Sequence, residues 1–126
     1  MCGVAFMLGA VFMKSAYENI TELLVKLGND QRLKGFAYAQ SGLMKLLECD
    51  EHIKNYSELY NMVAQEFSTT DIAVEKALRD SINQTWSNRD REFAYSVFGR
   101  TLQGESDVPS CKLYMAVLAE WIRYNR

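Results

Sequence analysis

Residues 55–86 read NYSELYNMVAQEFSTTDIAVEKALRDSINQTW, and their reading decides the fold. Two helical patterns meet across a short polar turn at Ser68-Thr69-Thr70. In the first, Leu59, Met62, Val63 and Phe67 fall at i, i+3, i+4 and i+8. In the second, Val74, Ala77, Leu78, Ile82, Thr85 and Trp86 recur on one side. Helix, tight turn, helix is the layout of a helix-turn-helix unit. Ala64 lies where the two helices would cross, and a small side chain suits that place. Ser68 occupies the turn position that DNA-binding versions often give to Gly, and Val74 faces back into the pair. Spacing alone leaves two readings open, a DNA reader or a plain hairpin of an all-α domain.

Working outward, the hairpin is framed by capping signals. Asn55 with Glu58 caps the first helix, and Thr69 or Thr70 caps the second, with Asp71 placed to suit the helix dipole. Upstream, Ser15 and Glu18 have the spacing of a capping box and predict the start of a helix carrying Tyr17, Ile20, Leu23, Leu24 and Leu27. Gly28 stops it. A further helix is predicted over about Leu33 to Glu48, with Phe36, Ala39, Leu43, Leu46 and Leu47 inward and Gly42 at a close helix contact. Cys49 to Lys54 is a charged break that holds the single His, His52. Downstream, Ser87 to Arg91 reads as a polar link. Phe93, Ala94, Val97 and Phe98 form a short helix ended by Gly99. Arg100 to Ser110 reads as a surface loop. Ser110 caps a last helix with a stripe of Leu113, Tyr114, Val117, Leu118, Trp121 and Ile122. The expected architecture is six helices around one core.

The 126 residues suffice for one domain that buries about two-thirds of its unfolded surface. Net charge is only −2, so no global basic field draws in nucleic acid, and any such binding rests on local placement of charge. Cys2, Cys49 and Cys111 are odd in number and widely spaced, with no Cys-x-x-Cys. That pattern argues against a disulfide framework or a zinc site and suits a reducing cytoplasm. No hydrolase elbow, phosphate-binding Gly loop, HExxH or dinucleotide fingerprint is present, and acidic pairs such as Asp50-Glu51 and Glu105/Asp107 fall in predicted breaks. The expectation is a non-enzyme with no cofactor.

The opening segment, MCGVAFMLGAVFM, is apolar throughout and ends at Lys14. It is shorter than the roughly 20 residues that span a bilayer and lacks the basic start of a signal peptide, so no membrane role is expected. It reads as a buried strand or as a segment packing on a partner. Gly9-Ala10 and Lys14 faintly resemble the last strand of a receiver domain, with Ser15 where that family has Pro. Residues 1–14 are therefore set apart as an apolar tail or receiver remnant, and 15–126 as the helical domain.

Taken together, the motifs resemble one family. Ile20-Thr21-Glu22-Leu23-Leu24, Leu27-Gly28 and Leu33-Lys34-Gly35-Phe36-Ala37-Tyr38 are similar to the opening of the C-terminal effector domain of the stage 0 sporulation protein A family. Tyr60, Ala64, Thr69-Thr70, Val74-Glu75, Ala77, Arg79 and Trp86-Ser87 match its middle. Val97-Phe98-Gly99, Pro109-Ser110 and Met115-Ala116-Val117 match its later segments. The resemblance covers about Tyr17 to Tyr124. It implies an all-α, six-helix domain of the winged-helix-like DNA-binding superfamily type. It further implies a sequence-specific transcription regulator, the output domain of a response regulator, that binds promoter boxes in double-stranded DNA as tandem copies or a homodimer and contacts RNA polymerase. Carried over residue by residue, the DNA-facing positions are Thr69, Thr70, Glu75, Lys76 and Arg79, and Arg89 and Arg91, just past the helix, are expected as backbone contacts. Arg suits bidentate contact with guanine, and Glu can accept from cytosine N4. Two positions depart from the family: Ala73 stands where it carries a basic residue, and Asp80 where it carries His. Asp71, Glu75 and Asp80 against Lys76 and Arg79 leave the recognition helix at net −1. The phosphate-accepting aspartate cluster of a receiver is absent from this sequence. The alternative that follows is a receiver-less interaction module that pairs with a full-length regulator or polymerase and binds DNA weakly or not at all.

Overall fold

The computed structural model describes residues 6–49, 55–99 and 107–124, and these contain six helices and no strand. The helices are α1 (Phe6–Leu27), α2 (Lys34–Cys49), α3 (Tyr56–Glu66), α4 (Asp71–Asn88), α5 (Arg91–Phe98) and α6 (Cys111–Tyr124). Their order and type are those the apolar periodicities predict. The break around His52 and most of the loop before Pro109 lie outside the described residues, as do the first five residues.

α1 corrects two expectations. Residues 6–13 are helical rather than a strand, and Ser15 sits inside α1 instead of capping it. A short apolar run without Pro is ambiguous between strand and helix by pattern alone. Once the amphipathic part of α1 has formed, each added residue gains a backbone hydrogen bond without a new nucleation step, and that outweighs a local capping signal. α1 runs unbroken across residues 14 and 15.

Two helices end in the same way for different chemical reasons. After α1, Gly28 takes φ +104°, its N–H donates to the Val25 carbonyl at 3.0 Å, and the Asn29 N–H donates to the Leu24 carbonyl at 3.0 Å. After α3, Ser68 takes φ 55°, its N–H donates to the Gln65 carbonyl at 3.5 Å, and the Thr69 N–H donates to the Ala64 carbonyl at 2.9 Å. Both are Schellman ends, in which a left-handed residue lets the chain cap two orphan carbonyls. The hairpin turn thus uses Ser where glycine is usual, at a cost of about 1–2 kcal/mol.

α2 lies at the centre, against α1, α3, α4 and α6, while α5 packs on α1 and α6. The core joins Ile20, Leu24 and Leu27 of α1 to Ala39 and Leu43 of α2, Leu59 and Val63 of α3, Leu78 and Ile82 of α4, Phe98 of α5, and Tyr114, Met115 and Leu118 of α6. Gly42 makes the expected close contact: a Cβ there would come within 2.5 Å of the Met115 methyl. Trp86, Phe98 and Tyr114 form an aromatic cluster, with Trp86 edge-on to Phe98 at 5.1 Å between centroids and Phe98 stacked on Tyr114 at 5.9 Å. The predicted inward faces shift at their margins. Tyr17 is 47% and Phe67 38% exposed. Their polar and ring contacts explain this: the Gln40 amide donates to the Tyr17 hydroxyl at 3.1 Å, and Phe67 lies edge-on to Tyr38 at 5.1 Å. In α6 the buried stripe is Cys111, Tyr114, Met115, Leu118, Ala119 and Ile122, so Leu113, Val117 and Trp121 flank it.

Candidate nucleic-acid interface

α3 and α4 form the helix-turn-helix. Asn55 caps α3, its side-chain oxygen accepting from the Glu58 N–H at 2.9 Å. Of the two candidate threonines, Thr70 caps α4, accepting from the Ala73 N–H at 3.1 Å. Thr69 is half-buried in the turn, where its N–H closes the end of α3. The small Ala64 is buried, at 2% exposed.

The two faces of α4 are built differently. Its back buries Val74, Leu78, Ser81, Ile82, Thr85 and Trp86. Three features of the α1–α2 region set its position. Gly28 lies against the end of α4, with the Asn88 carbonyl 3.1 Å from where a Cβ would stand. Gly35 lets α2 cross closely: a Cβ there would sit 2.4 Å from the Ser81 Cβ and 2.5 Å from the Ala77 carbonyl. Between these lies a buried hydrogen-bond relay. The Ser81 hydroxyl donates to the Asn29 side-chain carbonyl at 2.8 Å, and the Asn29 amide donates to the Tyr114 hydroxyl at 3.1 Å. Thr85 donates to the Ser81 carbonyl at 2.7 Å and so accepts from the Tyr114 hydroxyl, to which it is also hydrogen-bonded. Burial pushes the Tyr114 phenol up to about 12, partly offset by the Asn29 amide that donates to its oxygen.

The front of α4 carries Ile72, Lys76, Arg79, Asp80, Asn83 and Ser87, all exposed. Steps of three and four residues put them on one side of a helix. Glu75 flanks this row, and its carboxylate is 3.7 Å from the Arg79 guanidinium. Both side chains are about half exposed, so the pair is worth about 0.3–0.5 kcal/mol and yields to a stronger partner. The back of Glu75 is anchored by its carbonyl, which accepts from the buried Cys111 thiol at 3.7 Å. Burial raises that thiol above its ordinary range, with Arg79 pulling the other way.

Of the residues singled out by resemblance, Thr70, Glu75, Lys76 and Arg79 come together on or beside the front of α4 and at its N-terminus. Thr69 is turned partly inward. Arg89 lies beyond the other end: its guanidinium donates to the Trp86 carbonyl and sits over the Trp86 ring at 5.4 Å. Sequence reasoning missed Asn29 and Ile72. The second was detectable, because Ile72 stands off the apolar stripe of its own helix.

A family model described as the C terminal of the sporulation initiation factor Spo0A matches residues 20–122. The chain belongs to this Spo0A C-terminal family. The family is one of DNA-binding regulatory domains connected with sporulation and is not a family of enzymes. Its DNA-binding effector character agrees with an all-helical fold built around a helix-turn-helix. Among the described residues no helix is long and apolar enough to cross a membrane.

Proposed function

We propose that this chain is a sequence-specific regulator of transcription that lays α4 in the major groove of double-stranded DNA. The observation that carries the reading is the exposed front of α4 on a helix-turn-helix of a DNA-binding family. In such units the second helix enters the groove with its N-terminal residues at the base edges. Arg79 is assigned a guanine, to which its planar fork donates two bonds, and Glu75 a cytosine amino group. Lys76 takes a phosphate. Thr70 and the first N–H groups of α4 approach another, since a helix N-terminus favours an anion. Thr69 supports that end. Arg89 contacts the backbone past the helix. Residues 15–126 act as the effector-like domain and 1–14 as its appendage, and the working form is a homodimer or tandem pair on promoter boxes, in contact with RNA polymerase.

One observation favours the interaction-module reading: α4 is net −1, and each phosphate contact it lacks removes about 0.9 from the salt slope. Fluorescence anisotropy at low salt separates the two. A preference for a family-type promoter box over random duplex supports the regulator, and Arg79→Ala should then cost about 1–3 kcal/mol at one base position. Equal, weak binding to both duplexes, together with co-purification of a full-length regulator, would establish the module instead.

A further inference from the structure

We propose that Ile72 reads a thymine through its C5-methyl group, an inference that rests on the DNA-binding reading above and adds a base to it. Ile72 is 75% exposed, the most exposed branched aliphatic side chain among the described residues. The core does not use it. Val74 and Leu78 fill the back of α4, and Ile72 stands about 200° around the helix from Val74. It shares the front face with Lys76 and Arg79, four and seven residues on. It is also the second residue of α4, at the end that meets base edges in helix-turn-helix docking.

Its placement is firm. The Ile72 N–H donates to the Asp71 carboxylate at 2.9 Å, and the next N–H is held by Thr70 at 3.1 Å. A β-branched side chain in a helix keeps essentially one χ1 rotamer, so little side-chain freedom is lost on contact. In the major groove only thymine presents a methyl group, and an apolar side chain is the partner suited to it. The helix's charge makes this contact matter more. With α4 at net −1, phosphate attraction supplies little, and discrimination falls to contacts that need no charge. Seven residues of helix rise about 10 Å, and base pairs stack about 3.4 Å apart. The thymine therefore lies within about three base pairs of the pair read by Arg79.

The test begins by enriching duplexes from a random pool on the whole chain. Each thymine of the enriched site is then replaced singly by deoxyuridine, which removes only the methyl, and affinities are measured for the native chain and for Ile72→Ala. One position, within three base pairs of the one sensitive to Arg79→Ala, should weaken about fourfold in the native chain, the worth of one buried methyl group. In Ile72→Ala the same replacement should have no effect. The exposed position should leave the thermal midpoint of Ile72→Ala unchanged, which separates a lost contact from a lost fold. Enriched sites without thymine, or uracil ratios equal in the two proteins, would overturn the inference while the DNA reading stands. Failure to enrich any duplex would overturn both.

Discussion

The back and front of α4 obey different rules. On the back, Val74, Leu78, Ile82 and Trp86 are almost wholly buried, and Ser81 and Thr85 sit in a closed hydrogen-bond relay with Asn29 and Tyr114. On the front, Ile72, Lys76, Arg79, Asp80 and Asn83 face solvent. There Arg79 makes a weak pair with Glu75 at 3.7 Å. The contrast teaches that stability and recognition are carried by separate side chains of one helix. Substitutions can therefore separate the two properties.

The largest effect is expected from Leu78→Ala. Leu78 is 1% exposed, and deleting it should cost about 2–5 kcal/mol in chemical denaturation, with DNA affinity falling only as the folded fraction falls. Tyr114→Phe comes next. It leaves the Asn29 amide without its buried acceptor, for about 1–3 kcal/mol. Its pH signature is specific. The folded phenol is raised from 10.0 to about 12, so the neutral form is favoured by folding. That stabilisation is complete below pH 10 and is lost as pH rises through the folded value near 12. Tyr114→Phe should therefore lose less stability in alkali than the native chain, the remainder coming from Tyr60, which burial also raises. Thr70→Ala touches both faces. Removing the cap should cost about 1 kcal/mol of stability and weaken binding by loosening the end of α4 presented to DNA. The smallest stability change belongs to Lys76→Ala. It should stay within about 0.5 kcal/mol of the native chain, yet reduce the magnitude of the salt slope of DNA binding by about 0.9. A large loss of stability in Lys76→Ala, or none in Leu78→Ala, would break the comparison.

The parts of the fold legible in the sequence are those set by local periodicity. The stripes of Leu23, Leu24 and Leu27, or of Leu78 and Ile82, fix which side of each helix turns inward. The caps Asn55, Thr70 and Ser110 mark where helices begin. What escaped was set by contacts distant in the chain. Asn29 reads as a loop residue, because its partners Ser81 and Tyr114 lie 52 and 85 positions away. Gly35 gives no sign by itself that it lets α2 cross against Ala77 and Ser81. The helical extension of α1 back to Phe6 was hidden by the ambiguity of a short apolar run, and by a capping signal at Ser15 that cooperative helix growth overrode. At the site, resemblance picked out Glu75, Lys76 and Arg79, which lie on or beside the front of α4. It could not register that Arg89 is engaged with Trp86, nor that Ile72 stands exposed.

The central claim is that the front of α4 is the surface that meets DNA. It is tested most directly by recording the backbone amide spectrum of the whole chain while adding a duplex enriched from a random pool. The account predicts that the largest shifts fall on Ile72, Lys76, Arg79, Asn83 and the turn at Thr69-Thr70, with α5 and the α1 residues around Leu24 nearly unmoved. Shifts centred on α5 or α6, with the amides of α4 unchanged at saturation, would contradict it.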